Sequence, residues 1–447
     1  MSASVAKVPD HAHSPTTRFR WIVLSVIFVV YMLAAADRAN IGIVLPHVQD
    51  EFGISNSQAG IIVSLFFLFY SLGQVPAGLL IGKIGVRVSA PLAIALTSAS
   101  TLLIGTAGSL GLIKFYRGLL GVAEAALPLS MLATINRWFP AKEKGTATGA
   151  FLAAAKLGAV IAPPLGALII AKSDWRMVFI IFAIPGVFLA LTWWLLVPND
   201  PRSSRFVSES EADYIEEASV AGNRSASGDR GDFGTVDRLL RYRPIDEIHG
   251  TKSVFKSWNI WGCGLGYLLM TGVVNVLLAW LPKYLTEVRH LALMEVGFIA
   301  SLPFVGGVAG NLVGGWFSDR VLGKRRKPTM MISAIATCVM MAFLVFMPDS
   351  IVLVSLLLFS AGFLLNLGYS AYTVYPMGFT SKPTYPVAAS LVNTAGQAGG
   401  ALAPLVTGML LDLYDWNAVF LFLSACSMTA LLLLATIVEP ADHPARG

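Results

Sequence analysis

Five ionisable side chains stand inside otherwise apolar stretches: Asp37 and Arg38 in VVYMLAAADRANIGIVL, Arg117 and Glu124 in YRGLLGVAEAALPL, and Lys156 in GAFLAAAKLGAVIAPPL. A charge in such surroundings is costly, so each is a candidate for function. Arg117 and Glu124 are seven residues apart, nearly two helical turns, which places them on one face toward the same space. Ionised, the cluster holds two negative charges against three positive ones, and protonating Asp37 and Glu124 leaves three uncompensated cations. An anion is then attracted: the acid neutralises, its arginine partner is freed, and the guanidinium forms a bidentate pair with a carboxylate. Asp37 and Glu124 are therefore the expected proton carriers, and Arg38, Arg117 and Lys156 the expected anion contacts. The competing reading is of buried pairs that only hold helices together, with Lys156 snorkelling outward. Buried pairs are weak sources of stability, and five such groups are more than packing needs.

The later part of the chain has no comparable charges within its apolar stretches, so its expected contacts are neutral. Asn393 and Gln397 stand four apart, and Ser370 and Tyr372 flank a Gly- and Tyr-rich stretch. Their amides and hydroxyls can orient hydroxyls or a second carboxylate. Tyr70 is placed to line the same space beside Arg38. Trp280 and Tyr284 are candidates for an entrance gate, against the alternative of an interfacial aromatic belt.

These residues need a scaffold that water cannot supply. Of 447 residues, 55% are hydrophobic and 13% charged, against roughly 25% charged in an ordinary soluble domain. Apolar segments long enough to cross a bilayer recur at 21–45, 56–81, 88–107, 111–133, 146–171, 176–197, 256–284, 293–317, 328–348, 351–375, 386–413 and 417–438. The 41 glycines and 23 prolines fall largely inside them, which suits closely packed or locally broken membrane helices. The 32 Lys and Arg against 26 Asp and Glu give +6, but the cations flank helix ends and write topology, so no nucleic-acid partner is implied. Lys83 and Arg87, then Arg137, Lys142 and Lys144, then Arg320 with Lys324 to Lys327, follow the second, fourth and eighth spans and assign those loops to the cytoplasm. Both termini are then cytoplasmic. Lys172, Arg176, Lys283 and Arg289 dilute the bias. No cleavable signal peptide is expected, because Asp37-Arg38 interrupts the first apolar segment. Cys263, Cys338 and Cys426 are scattered singly, with no metal-ligand spacing.

The chain divides into a tail over 1–20, a six-span half over 21–197, a polar linker over 198–257 with a surface helix near Ser208–Ala218, a second half over 258–438, and a tail over 439–447. DWRMVF at Asp174 recurs as DWNAVF at Asp415, a shift of 241 that also sets Gly158 on Gly399 and Pro163 on Pro404. Two related halves describe a transporter with its site between them near the midplane. Bends at Pro163-Pro164 and Pro404 would let the halves rock, and close packing explains the glycines equally well.

GWFSDRVLGKRR, from Gly315 through Asp319, Arg320 and Gly323, resembles the loop signature of the major facilitator superfamily. The counterpart after the second span carries Gly82 in place of the acidic residue. A narrower resemblance rests on Ala36-Asp37-Arg38-Ala39-Asn40, Arg117 with Glu124, RWFP from Arg137 with KEKG from Lys142, WLPKYL from Trp280, and NTAG from Asn393. Together these resemble the anion:cation symporters, which take up sugar acids and other organic anions, mostly with protons. The resemblance implies conformational roles for Asp319 and Arg320. Two departures, Ala34-Ala35-Ala36 before the Asp-Arg pair and a cation at Lys156, imply a site altered for a different acid, with a second carboxylate or a flatter, less hydroxylated body.

No nucleotide-binding P-loop, H-E-x-x-H or G-x-S-x-G triad is present, so neither an enzyme, a cofactor nor a metal is expected. Asp37 with Asn40 could ligate sodium, but no dense oxygen cage accompanies them. The expectation is an all-α integral membrane protein of twelve transmembrane helices in two six-helix halves. It is a monomer of the cell inner membrane whose partners are protons, the bilayer and a small organic anion: a sugar acid, dicarboxylate or aromatic acid imported by proton symport with alternating access. The rivals are a proton-coupled efflux pump for acidic amphipathic compounds and a non-transporting membrane anion sensor.

Overall fold

A computed structural model describes residues 17–221, 241–346, 349–381 and 384–441. The tail over 1–20 as far as residue 16, the linker between 222 and 240, the end of the span expected over 328–348, and the tail from residue 442 lie outside the described residues.

The first half comprises α1 (Phe19–Phe52), α2 (Asn56–Ile84), α3 (Val86–Gly105), α4 (Leu110–Trp138), α5 (Ala141–Lys172) and α6 (Trp175–Leu196). Two short helices follow, α7 (Glu209–Ala221) and α8 (Thr251–Lys256). The second half comprises α9 (Trp258–Glu287), α10 (Leu293–Trp316), α11 (Lys327–Phe343), α12 (Ile351–Asn366), α13 (Tyr369–Val374), α14 (Tyr385–Leu413) and α15 (Trp416–Thr436). Among the described residues, 11 helices are long and apolar enough to cross a membrane. The twelfth, α14, has the length but not the hydropathy, because glycines, Asn393 and Gln397 replace aliphatic side chains. Large apolar side chains such as Val75, Phe188, Leu312 and Val352 point outward, as a hydrocarbon surrounding requires.

Helix starts follow local chemistry. The Ser55, Ser109 and Asp415 side chains accept from the amides of Gln58, Leu112 and Ala418, which the first turns of α2, α4 and α15 would leave unpaired. Gly53, at φ 60°, ends α1 in the left-handed conformation.

The 241-residue repeat has a packing counterpart. α1 lies on α5 as α9 lies on α14; α2 on α4 as α10 on α12; α3 on α6 as α11 on α15. The halves meet where α2 crosses α14 and α5 crosses α10. A Cβ on Gly158 would run into the Met32 carbonyl of α1, and one on Gly399 into the Leu268 carbonyl of α9. Close backbone approach thus accounts for these glycines. The segments after α6 and α15 also act alike. Asn199 accepts from the Arg87 amide at 2.9 Å, and Glu439 accepts from the Arg326 and Lys327 amides at 3.0 and 2.7 Å, so each half closes its third helix with its own tail.

One expected span is broken. The apolar run over 351–375 stops at Asn366, turns through Leu367-Gly368 and resumes as α13. A side chain at Gly368 would meet the Thr329 carbonyl at 2.7 Å. The Ser333 hydroxyl lies 2.8 and 3.0 Å from the Leu364 and Leu365 carbonyls, which a broken helix leaves unpaired in the membrane.

Three of the four cations that diluted the topology bias are matched by carboxylates: Arg176 to Glu51 at 2.5 Å, Lys283 to Glu287 at 3.0 Å and Arg289 to Asp349 at 3.4 Å. At this end, opposite the basic loops, the halves are joined. Asp412 accepts from the Asn56 and Ser57 amides, both at 2.8 Å, and Lys283 donates to Gln49 at 2.6 Å. Gly60 abuts the Pro404 carbonyl, and Gly297 abuts Pro163-Pro164. Toward the basic end, Gly82, Gly145, Gly149 and Gly315 meet nothing within 4 Å of a Cβ position. The halves thus touch at the end opposite the basic loops and again where Lys156 meets Asn366 and Asn393 meets Gln74.

Candidate functional site

The centre of the site is a cross-helix ion pair. Arg38 Nε of α1 donates to Glu124 Oε2 of α4 at 2.6 Å; the Arg38 side chain is 18% exposed and that of Glu124 0%. The pair is single-pronged. Arg38 Nη2 and Glu124 Oε1 have no hydrogen-bond partner among the described residues. Aromatic rings wall the guanidinium, with Tyr31, Phe66 and Tyr70 centroids 5.6, 5.9 and 5.1 Å away. Phe66, Tyr70 and Gln74 recur every four residues and form one stripe along α2.

Behind this pair lie two further charges. Arg117 is fully buried, with its guanidinium 5.0 Å from the Phe66 centroid and its Nε 3.5 Å from the Ile62 carbonyl. Asp37 is buried and accepts from the Thr101 hydroxyl at 3.4 Å, while its Oδ1 has no partner among the described residues and faces a small cavity shared with Thr97 and Ser98. The seven-residue spacing does bring Arg117 and Glu124 to one face, but roughly 10 Å of axial rise separates them. The partner of Glu124 is Arg38, 86 residues earlier. Of Arg38, Arg117 and Asp37, only Arg38 keeps exposed surface, with the other two buried.

Lys156 of α5 faces the second half. Its Nζ donates to Asn366 Oδ1 at 2.7 Å, at the break after α12, and lies 4.8 Å from the Tyr369 ring of α13. It does not snorkel outward. Tyr369 sits edge-on to Tyr267 at 5.2 Å, and Tyr267 stacks on Tyr372 at 5.2 Å. Tyr372 is 1% exposed and forms the layer behind Tyr267. Gly396 leaves the space the Tyr267 ring occupies against α14. Asn393 donates to Gln74 at 3.3 Å, a second contact between halves, and Gln397 and Ser370 are half-buried.

The expected gating residues lie elsewhere. Trp280 and Tyr284 are buried, edge-on to Trp416 at 6.5 and 5.2 Å, so they do not form a lipid-facing belt. Asp319 pairs with Arg326 at 2.8 Å within its own loop, and Arg320 is exposed. In the preceding half, Gly82 offers no equivalent carboxylate. Sequence reasoning missed Tyr31, Phe66, Gln74, Tyr267, Asn366 and Tyr369. The four-residue stripe on α2 was a readable signal, whereas the break at Asn366 was hidden by its apolar neighbours.

A sequence profile of the Major Facilitator Superfamily matches residues 27–404 and 295–447. The chain belongs to the Major Facilitator Superfamily. It is accordingly a multi-pass membrane transporter and not an enzyme. Among its relatives, a D-galactonate transporter of Escherichia coli O6:H1 is 29% identical over 433 residues, covering 95% of this chain and 96% of the relative. A probable galactarate/D-glucarate transporter of Bacillus subtilis is 28% identical, covering 95% and 93%. The fold is shared with the crystal structure of a bacterial homologue of the human lysosomal transporter Spinster in an inward-facing, unoccupied conformation. That likeness has a TM-score of 0.72 at 16% identity, over 94% of this chain and 95% of the other. These findings agree with the superfamily signature at Gly315–Gly323, and the relatives' names agree with the likeness to organic-anion symporters.

Proposed function

We propose that this major facilitator imports an organic carboxylate by proton symport with alternating access, as a monomer in the cell inner membrane with both ends of the chain cytoplasmic. The observation that carries the reading is the Arg38–Glu124 pair, in which a part-exposed arginine side chain is held on one side by a wholly buried carboxylate. Glu124 in its charged form competes with any anion for Arg38. Protonation of Glu124, with Asp37 as the second acid, removes the competitor and leaves the fork to a substrate carboxylate. Asn393, Gln397, Gln74 and Ser370 supply neutral hydrogen-bonding groups near the midplane. On this reading the basic loops face the cytoplasm, and the end at which Asp412 caps α2 is the outer one.

The relatives named for galactonate and for galactarate and glucarate support an acidic, polyol-like substrate, while the aromatic walls around Arg38 and Lys156 support dicarboxylic or aromatic acids as well. Counterflow of labelled acids in proteoliposomes tests the reading. Exchange of an acid, with net accumulation when the lumen is made alkaline, is the expected result. Binding without exchange identifies a sensor, and accumulation driven only by a lumen made acidic identifies an exporter; either outcome overturns import by symport.

A further inference from the structure

The two cations that retain exposure differ in one respect: Arg38 has a carboxylate partner and Lys156 does not. Among the described residues, the Lys156 ammonium has only the Asn366 amide oxygen at 2.7 Å and the Tyr369 ring at 4.8 Å. Its surroundings are otherwise apolar, since it shares a narrow cleft with Val274, Leu277, Phe304 and Leu365. An ammonium in such a place lacks the counter-charge that would offset its desolvation, and neither an amide oxygen nor a ring face supplies a full one. We infer that Lys156, with Asn366 and Tyr369, forms a subsite for a second anionic group, so that the transported acid is preferentially a dianion held between Arg38 and Lys156.

The spacing limits the size of such a dianion. α1 and α5 both start at the Arg20–Glu143 contact and touch where Gly158 abuts Met32 to Ala36. Lys156 stands just before that crossing and Arg38 just after it, an axial offset of their backbones of roughly 9 Å. On this inference the two cations stand at different depths, which favours a longer diacid over oxalate or malonate. Asn366 belongs to the second half, so its amide oxygen holds Lys156 until an anion replaces it, and occupancy of the subsite then alters a contact between the halves. The inference rests on the reading of Arg38 as the first carboxylate site.

The test is binding to purified protein and counterflow, using matched pairs: gluconate against glucarate, and benzoate against terephthalate. The wild type is expected to bind at least one diacid about tenfold or more tightly than its monoacid. Lys156→Gln should weaken the diacid about tenfold more than the monoacid and so remove the preference between them. Asn366→Asp, which supplies the missing carboxylate, should weaken the diacid selectively, and Lys156→Arg should retain the preference. The two pairs distinguish a polyol body from an aromatic one. Equal loss of both acids in Lys156→Gln, or no diacid preference in the wild type, overturns the inference while leaving import intact. Failure of the wild type to bind or exchange any acid overturns both.

Discussion

Glu124 makes its ion pair with Arg38 across two helices and not with Arg117 on its own, and only the Arg38 end of that pair is exposed. On the proposed function, the arrangement separates the group a substrate touches from the group that controls it. Both belong to one half, so in the proposed cycle a proton on Glu124 would act on Arg38 with no contact between the halves required.

Arg38→Ala should remove the carboxylate contact and abolish both counterflow and gradient-driven uptake, with acid binding weaker by about 10- to 100-fold. Arg38→Lys keeps the charge and loses the fork, so it should recover only part of the affinity. Titration of acid binding to the purified variants checks this. Wild-type affinity in Arg38→Ala would move the carboxylate site elsewhere.

The junction opposite the basic loops is held by Asp412, whose carboxylate accepts from the first two amides of α2. Asp412→Asn weakens a charged cap worth about 1 kcal/mol, enough to shift a two-state equilibrium roughly fivefold toward the form open at that end. Spin labels at Ile54 and Asp349, on loops of the two halves at this end, should show a larger population at long distance. An unchanged distribution would mean that Asp412 does not hold the closed junction.

The linker helix α7 is fastened to the first half by Glu211. The carboxylate is fully buried; it accepts from the Thr17 hydroxyl at 2.6 Å, the Phe19 and Arg20 amides at 3.0 and 3.2 Å, and the Arg20 guanidinium at 2.9 Å. Burial alone would raise its pKa, but these hydrogen bonds together hold it below the ordinary 4.5. A lowered pKa contributes stability that is complete above the unfolded value and lost as pH falls through the folded one. Melting of the wild type should therefore include a loss that sets in below about pH 4.5, the ordinary value. Glu211→Gln should be less stable by about 1 kcal/mol at neutral pH and lack that component. Identical melting of the two proteins at pH 7 would mean that the clasp contributes nothing.

Much of this was legible in the sequence because membrane physics leaves few options. A run of apolar residues long enough to span the bilayer has to be a helix, and the Asp174 and Asp415 repeats mark halves whose Gly158 and Gly399 occupy equivalent crossings. The rare ionisable groups stood out for the same reason: Arg38 and Glu124 pair across α1 and α4, and Lys156 reaches Asn366 of the second half. What composition does not encode is which charge meets which. Helical spacing suggested that Arg117 and Glu124 act together, whereas the Arg38–Glu124 contact depends on the crossing of α1 and α4. The break after Asn366 was invisible because hydropathy registers Leu367-Gly368 as more of the same span, while the Ser333 hydroxyl that makes it tolerable comes from another helix. Lys283 was read as a topological cation, and its role in joining the halves through Gln49 needed the fold.

Coupling through Glu124 is tested most directly by proton movement in proteoliposomes loaded with a pH dye, without any imposed gradient. Downhill entry of a transported acid should carry protons inward and acidify the lumen in the wild type. Glu124→Gln should exchange the same acid by counterflow with no such acidification. Acidification that persists in Glu124→Gln at the wild-type ratio to acid uptake would contradict the account.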